Sequence, residues 1–135
     1  GMMWAMMQRV YDNWPDDYAE FQPENYKHLY GWLLYKVGHI ETADMDVVIR
    51  TERDKLIATK MARAYFSLMR EREIHYMRLK PFKGGTRIIV SGSLDYASAG
   101  KRKYEAVRAA MYELIEVVLG VPIETLKRES KREAA

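Results

Sequence analysis

The chain has 135 residues, 48% of them hydrophobic and 30% charged, with no cysteine and a formal net charge of +3. That length and mix fit one globular domain, and the missing cysteine excludes disulfides, thiol nucleophiles and zinc-thiolate centres. No apolar run approaches the ~20 residues of a membrane-spanning helix and no secretory leader pattern opens the chain, so a cytoplasmic location is expected.

In chain order, Met3, Met6, Met7, Val10, Tyr11 and Trp14 recur at three- and four-residue steps and predict an amphipathic helix, which Pro15 ends. Gly1 precedes the first methionine and reads as a cleavage scar. Asp16 to Gln22 forms an acidic loop. Pro23 stands where a first helical residue belongs, with Glu24 near the positive end of the dipole. The helix that follows is apolar on most sides (Tyr26, Leu29, Tyr30, Trp32, Leu33, Leu34, Val37) and is therefore expected at the centre of the core, with Gly38 as its C-cap.

Within residues 39–50, Val47-Val48-Ile49 reads as a short strand or a buried loop. Thr51 and Asp54 resemble a capping box. They open a long helix to about Arg72 that runs on Ile57, Met61, Ala64, Tyr65, Leu68 and Met69, with Arg53, Lys60, Arg63, Arg70 and Arg72 on its outer face. The period then changes. Ile74 to Lys80 and Thr86 to Val90 read as two strands about the Lys83-Gly84-Gly85 turn, with Pro81 at an edge. A strong helix follows through Tyr104, Val107, Met111, Leu114, Ile115 and Val118, and Gly120 ends it. A short helix on Ile123 and Leu126 comes next, and Lys127 to Ala135 reads as a charged tail that frays. The expectation is one α+β domain over residues 2–126, mostly helical, with one β-hairpin and a tail over 127–135.

Catalytic patterns are missing. His28, His39 and His75 share no metal-ligand spacing and read as surface or satisfied core histidines. Lys83-Gly84-Gly85-Thr86 lacks the spacing of a phosphate loop and is a turn. Asp44 and Asp46 supply two carboxylates, fewer than a divalent ion requires. No catalytic residue, metal or cofactor is assigned and the chain is expected not to be an enzyme. A metal-dependent nuclease using Asp44 and Asp46 is the one enzymatic alternative.

The charge distribution is more informative than its sum. Residues 1–46 hold Arg9, Lys27 and Lys36 against eight acids, leaving 19 of the 22 cations and 11 of the 19 acids to residues 47–135. Such asymmetry points to an anionic partner, or to halves that neutralise each other within a fold or across a dimer. Between Arg78 and Lys103 stand Arg78, Lys80, Lys83, Arg87, Lys101, Arg102 and Lys103 against Asp95 alone, interleaved with Tyr76, Phe82, Tyr96 and Tyr104. Cations displace counterions from phosphates and aromatic faces stack on unpaired bases, so this run reads as a nucleic-acid-binding surface. Phe82, beside the turn, is the expected stacking residue. Lys101-Arg102-Lys103 falls in a first helical turn, where acids are favoured and a phosphate would relieve the repulsion.

Several segments carry a resemblance. Trp4-Ala5-Met6-Met7, Pro23-Glu24-Asn25-Tyr26-Lys27-His28-Leu29-Tyr30 and Gly85-Thr86-Arg87-Ile88-Ile89-Val90-Ser91-Gly92-Ser93 resemble the NinB (Orf) recombination proteins of lambdoid phages. Asp12-Asn13-Trp14-Pro15, Trp32 to His39 and Ser93-Leu94-Asp95-Tyr96-Ala97 are similar to a related prophage-encoded family of uncharacterised proteins. The NinB resemblance implies a dimeric, single-stranded-DNA-binding accessory that works with host recombination or replication proteins. The competing expectation is a non-catalytic protein–protein adaptor or structural homodimer, for which nine methionines and 12% aromatic residues could supply the apolar interface.

Overall fold

The computed structural model describes residues 2–134; Gly1, and with it the expected cleavage scar, lies outside the described residues. Helix α1 (Met2–Asp12) turns Met6, Met7 and Val10 inward. Helix α2 (Tyr26–Lys36) starts three residues later than Pro23 suggests. The reason is Asn25, whose side chain accepts the His28 N–H at 2.8 Å and so satisfies a donor that proline at 23 cannot reach. At the other end the His39 N–H bonds the Leu34 carbonyl and the Gly38 N–H bonds that of Tyr35. Gly38, at φ 84°, takes the left-handed position that this double closure needs.

Of the two readings of Val47 to Ile49 the loop holds, with Val48 exposed rather than buried, and a strand not expected lies before it. Strand β1 is Ile40–Met45, and Val47 to Ile49 form a loop tied down by the Thr86 hydroxyl, which donates to the Val47 carbonyl. The hairpin, β2 (Met77–Phe82) and β3 (Gly85–Ser91), is therefore part of an antiparallel three-stranded sheet in the order β1-β3-β2. Its register sets Lys80 opposite Arg87 and Arg87 opposite Asp44. The two-residue turn is Lys83-Gly84, both with positive φ (47° and 77°), which is the type I′ geometry that matches strand twist.

Helix α3 (Glu52–Arg70) is capped as its sequence indicates: Thr51 accepts from the Asp54 N–H, and the Asp54 carboxylate accepts from the Arg50 N–H. Its packing is not as expected. The face turned to the sheet is Ala58, Ala62 and Phe66, while Ile57, Met61, Tyr65, Leu68 and Met69 are exposed. Ala58 and Ala62 contribute only small side chains, and Phe66 is the one large α3 side chain in the buried cluster with Ile74, Ile88 and Val90 among the described residues.

After one helical turn, α4 (Tyr96–Ala99), and a break at Gly100, α5 (Lys101–Leu119) and α6 (Ile123–Ala134) pack with α1 and α2 around a second cluster centred on Leu29, Leu33, Met111 and Ile115. Residues 127–134, expected as a tail, are helical. They continue α6, because Ser130 is buried with its hydroxyl on the Leu126 carbonyl and Glu129 pairs with Arg9 at 2.8 Å. The chain is an α+β protein with one core under the sheet and one among the helices. Gly31 joins them: a Cβ there would stand 2.7 Å from the backbone of His75 and Tyr76, so only glycine lets α2 lie against the segment entering β2.

Between these elements, burial holds His28 and His75 below the ordinary histidine range. Glu24 and Glu73 respectively oppose that shift, and the cations nearby (Arg63 for His28, Lys27 and Arg72 for His75) reinforce it. The His28 Nδ1 accepts the Glu24 N–H, which also requires that nitrogen to be unprotonated. The unfolded chain therefore takes up these protons first, and stability should fall as pH drops below about 6.5 toward the lowered folded values. Urea midpoints at pH 7.5 and 5.5 measure this, and H28Q/H75Q should flatten the difference. A midpoint that rises on acidification would refute the assignment.

Candidate nucleic-acid interface

The cations expected to act together do not form one group. On the outer face of the hairpin, Arg78, Lys80 and Arg87 share a side, as the register dictates. Two of them have partners. Arg87 grips both Asp44 carboxylate oxygens, at 2.8 and 3.0 Å, and stacks 3.4 Å from the Phe82 ring centre. The Arg78 guanidinium donates to the Tyr35 hydroxyl at 3.1 Å. Phe82, the expected stacking residue, has Arg87 on its ring and the Lys83 ammonium 5.1 Å from its centre. Lys80 and Lys83 are exposed, with no carboxylate ion pair among the described residues.

Part of the charge asymmetry is thus neutralised inside the fold. Asp44 holds Arg87, and Glu41, also on β1, holds Arg70 and Arg72. The hydrogen bond from Arg87 keeps the Asp44 carboxyl below its usual range. Burial alone would raise Glu41, and Arg70 and Arg72 outweigh it to lower the group. Both oxygens of Asp44, one of the two carboxylates named for the nuclease alternative, are engaged by Arg87.

Lys101, Arg102 and Lys103 do occupy the first turn of α5, exposed, behind an N-cap glycine that offers no side-chain hydrogen bond. They stand on α5 among the helices, whereas the Lys83 turn is at the end of β3 far from Ser91, about 20 Å of strand away. Tyr76 packs against Phe21, His28 and Tyr35, and the Tyr96 side chain lies outside the described residues.

A larger cationic group forms where the sequence suggested none. A cleft of about 570 Å³ lies between α1, α5 and α6. Met3 and Met6 make its apolar wall, Tyr104, Arg108 and Tyr112 line it from α5, and Lys127, Arg128 and Lys131 line it from α6. The α5 residues stand at i, i+4 and i+8, so they share one face. The Arg108 guanidinium lies 5.7 Å from the Tyr104 ring centre and 5.4 Å from that of Tyr112, and the Lys127 ammonium lies 5.0 Å from Tyr112. Burial works against the Arg108 charge, but the Tyr112 and Tyr104 hydroxyls more than offset it and raise its pKa. The one acid, Glu124, sits 3.5 Å from Lys127.

Sequence reasoning missed Arg108 and Tyr112, whose four-residue spacing from Tyr104 was the available signal, and a third of the lining residues (Lys127, Arg128 and Lys131) come from the segment read as a loose tail. Comparison with protein-family models, curated proteins and solved structures returns no match. Among the described residues no helix is long and apolar enough to cross a membrane.

Proposed function

We propose that the protein binds nucleic acid, preferentially single-stranded, through the cleft between α1, α5 and α6. The observation that carries this reading is four cations against one acid around two tyrosine rings and an apolar wall, in a volume suited to a base and its phosphates. Phosphates meet Arg108, Arg128 and Lys131, and an unpaired base meets the ring of Tyr104 or Tyr112. Lys101, Arg102 and Lys103 begin the same helix that carries Tyr104 and extend the positive surface along it. Lys80 and Lys83 on the hairpin form a separate, smaller patch.

Anisotropy titrations with a labelled thymidine oligonucleotide and its duplex, at about 50 and 200 mM salt, test the reading. Affinity should fall with salt and favour the single strand. The variant R108A/R128A/K131A should lower the slope of log K against log salt by about 2, at about 0.7 per lost phosphate contact. No binding at the lower salt overturns the proposal. Loss of binding in K80A/K83A but not in the cleft variant overturns the choice of the cleft.

A further inference from the structure

Within α3, Ile57, Met61, Ala64 and Leu68 follow one another at steps of four, three and four residues. That is the spacing by which a helix presents a continuous apolar seam to another helix. Ile57, Met61 and Leu68 are exposed by 46, 52 and 78%, and Ala64 is exposed between them. Met61, Ala64, Tyr65 and Leu68 stand at i, i+3, i+4 and i+7, the four corners of a hole that takes one side chain of a facing helix. Ala64 keeps the hole open. From Ile57 to Leu68 the seam runs about 17 Å, three helical turns. A contiguous apolar row on the surface marks a site of interaction.

The charges beside the seam indicate what covers it. Arg53 and Lys60, two turns apart, lie along one flank. Both are exposed, and neither makes an ion pair or hydrogen bond among the described residues. The other flank runs through Asp54, Ala58 and Tyr65 and holds no cation; the Asp54 carboxylate accepts the Arg50 N–H at 3.1 Å. A second copy of α3 does not answer this pattern. Laid antiparallel it sets Arg53 and Lys60 against the same two cations, and laid parallel it sets them against Ala58 and Tyr65. An anionic lipid surface draws on cations to both sides of an apolar face, and only one side has them. A helix with its own apolar seam and carboxylates on the flank facing Arg53 and Lys60 covers the row and pairs both charges.

We propose that the exposed face of α3 docks an acidic amphipathic helix of a partner protein, its apolar side chains seated among Ile57, Met61 and Leu68 and its carboxylates on Arg53 and Lys60. The surface is separate from the cleft on α1, α5 and α6, and does not depend on what that cleft binds.

Two labelled peptides of about three heptads test the surface, both with leucine along the seam and one with glutamate, the other with lysine, on the flanks. Each is titrated by anisotropy with the full chain up to about 100 μM. The glutamate peptide should bind, less tightly as salt rises, and the lysine peptide at least about tenfold more weakly. M61Q/L68Q changes two exposed positions outside the folded core and should weaken the glutamate peptide at least about tenfold. R53E/K60E should reverse the preference between the peptides. R108A/R128A/K131A should bind the glutamate peptide as the wild type does, which separates this face from the cleft. Absence of glutamate-peptide binding overturns the proposal, as does equal binding by M61Q/L68Q or a preference that R53E/K60E leaves unchanged. Without peptide binding, self-association that M61Q/L68Q abolishes would give the face to a second copy. Binding to phosphatidylserine vesicles that the same variant abolishes would give it to a lipid surface.

Discussion

Replacing Phe66 by alanine should lower the unfolding free energy by about 3–5 kcal/mol, the largest effect expected of any residue under the sheet. The ring is fully buried among Ile74, Ile88 and Val90, and Ala58 and Ala62 are its only buried neighbours on α3. Alanines contribute little apolar area, so the apolar part of the attachment of a 19-residue helix to the sheet rests chiefly on one side chain. The exposed stripe cannot swing in to fill the cavity, because Thr51 and Asp54 fix the start of the helix and Arg70 holds its end to Glu41. Urea denaturation followed by circular dichroism measures the loss. A value below about 1 kcal/mol would mean that α3 is held by something other than this face.

Trp32→Ala should cost a similar 3–5 kcal/mol, this time in the helical core. The indole is 2% exposed, lies stacked on Phe21 at 4.6 Å and meets Trp14 edge-on at 5.7 Å. It is the floor on which residues 14–21 rest, and Trp14 in turn donates its ring N–H to the Phe21 carbonyl at 2.9 Å. What else fastens that acidic loop is exposed: the Lys36–Glu20 pair and the Gln22 amide on the Pro15 and Tyr18 carbonyls, each worth about 1 kcal/mol or less at a surface. The variant should therefore expose the loop to protease as well as lower the urea midpoint. Protection of residues 14–22 unchanged from the wild type would show that the surface contacts suffice.

Element ends were legible because their chemistry is local. Thr51 with Asp54, Gly38, Gly120 and the Lys83-Gly84 turn each act within four residues, so no distant contact is needed to recognise them. Strand β1 escaped notice for the opposite reason. Its inward residues are Glu41, Ala43 and Met45, and Glu41 can face inward only because Arg70 and Arg72, thirty residues on, come to meet it. A carboxylate at that position reads as solvent-facing until its partners are placed. Lys127 to Lys131 misled in the same way. Their composition is that of a frayed end, yet Arg9 and the buried Ser130 keep them helical and turn their cations toward Arg108.

By itself, then, the sequence determined the α+β class, the start of α3 at Thr51, the helix ends at Gly38 and Gly120, the hairpin and the positions of the cations along the chain. Each follows from periodicity or from chemistry within a single turn. Only the tertiary structure decided which face of α3 meets the sheet, which cations are paired with Asp44 and Glu41, and that α5 and α6 bring four others to one cleft. Those outcomes depend on which surfaces of separately stable elements come together. Amphipathic spacing reports that a helix has an apolar face, but what covers that face is settled by packing between segments far apart in the chain.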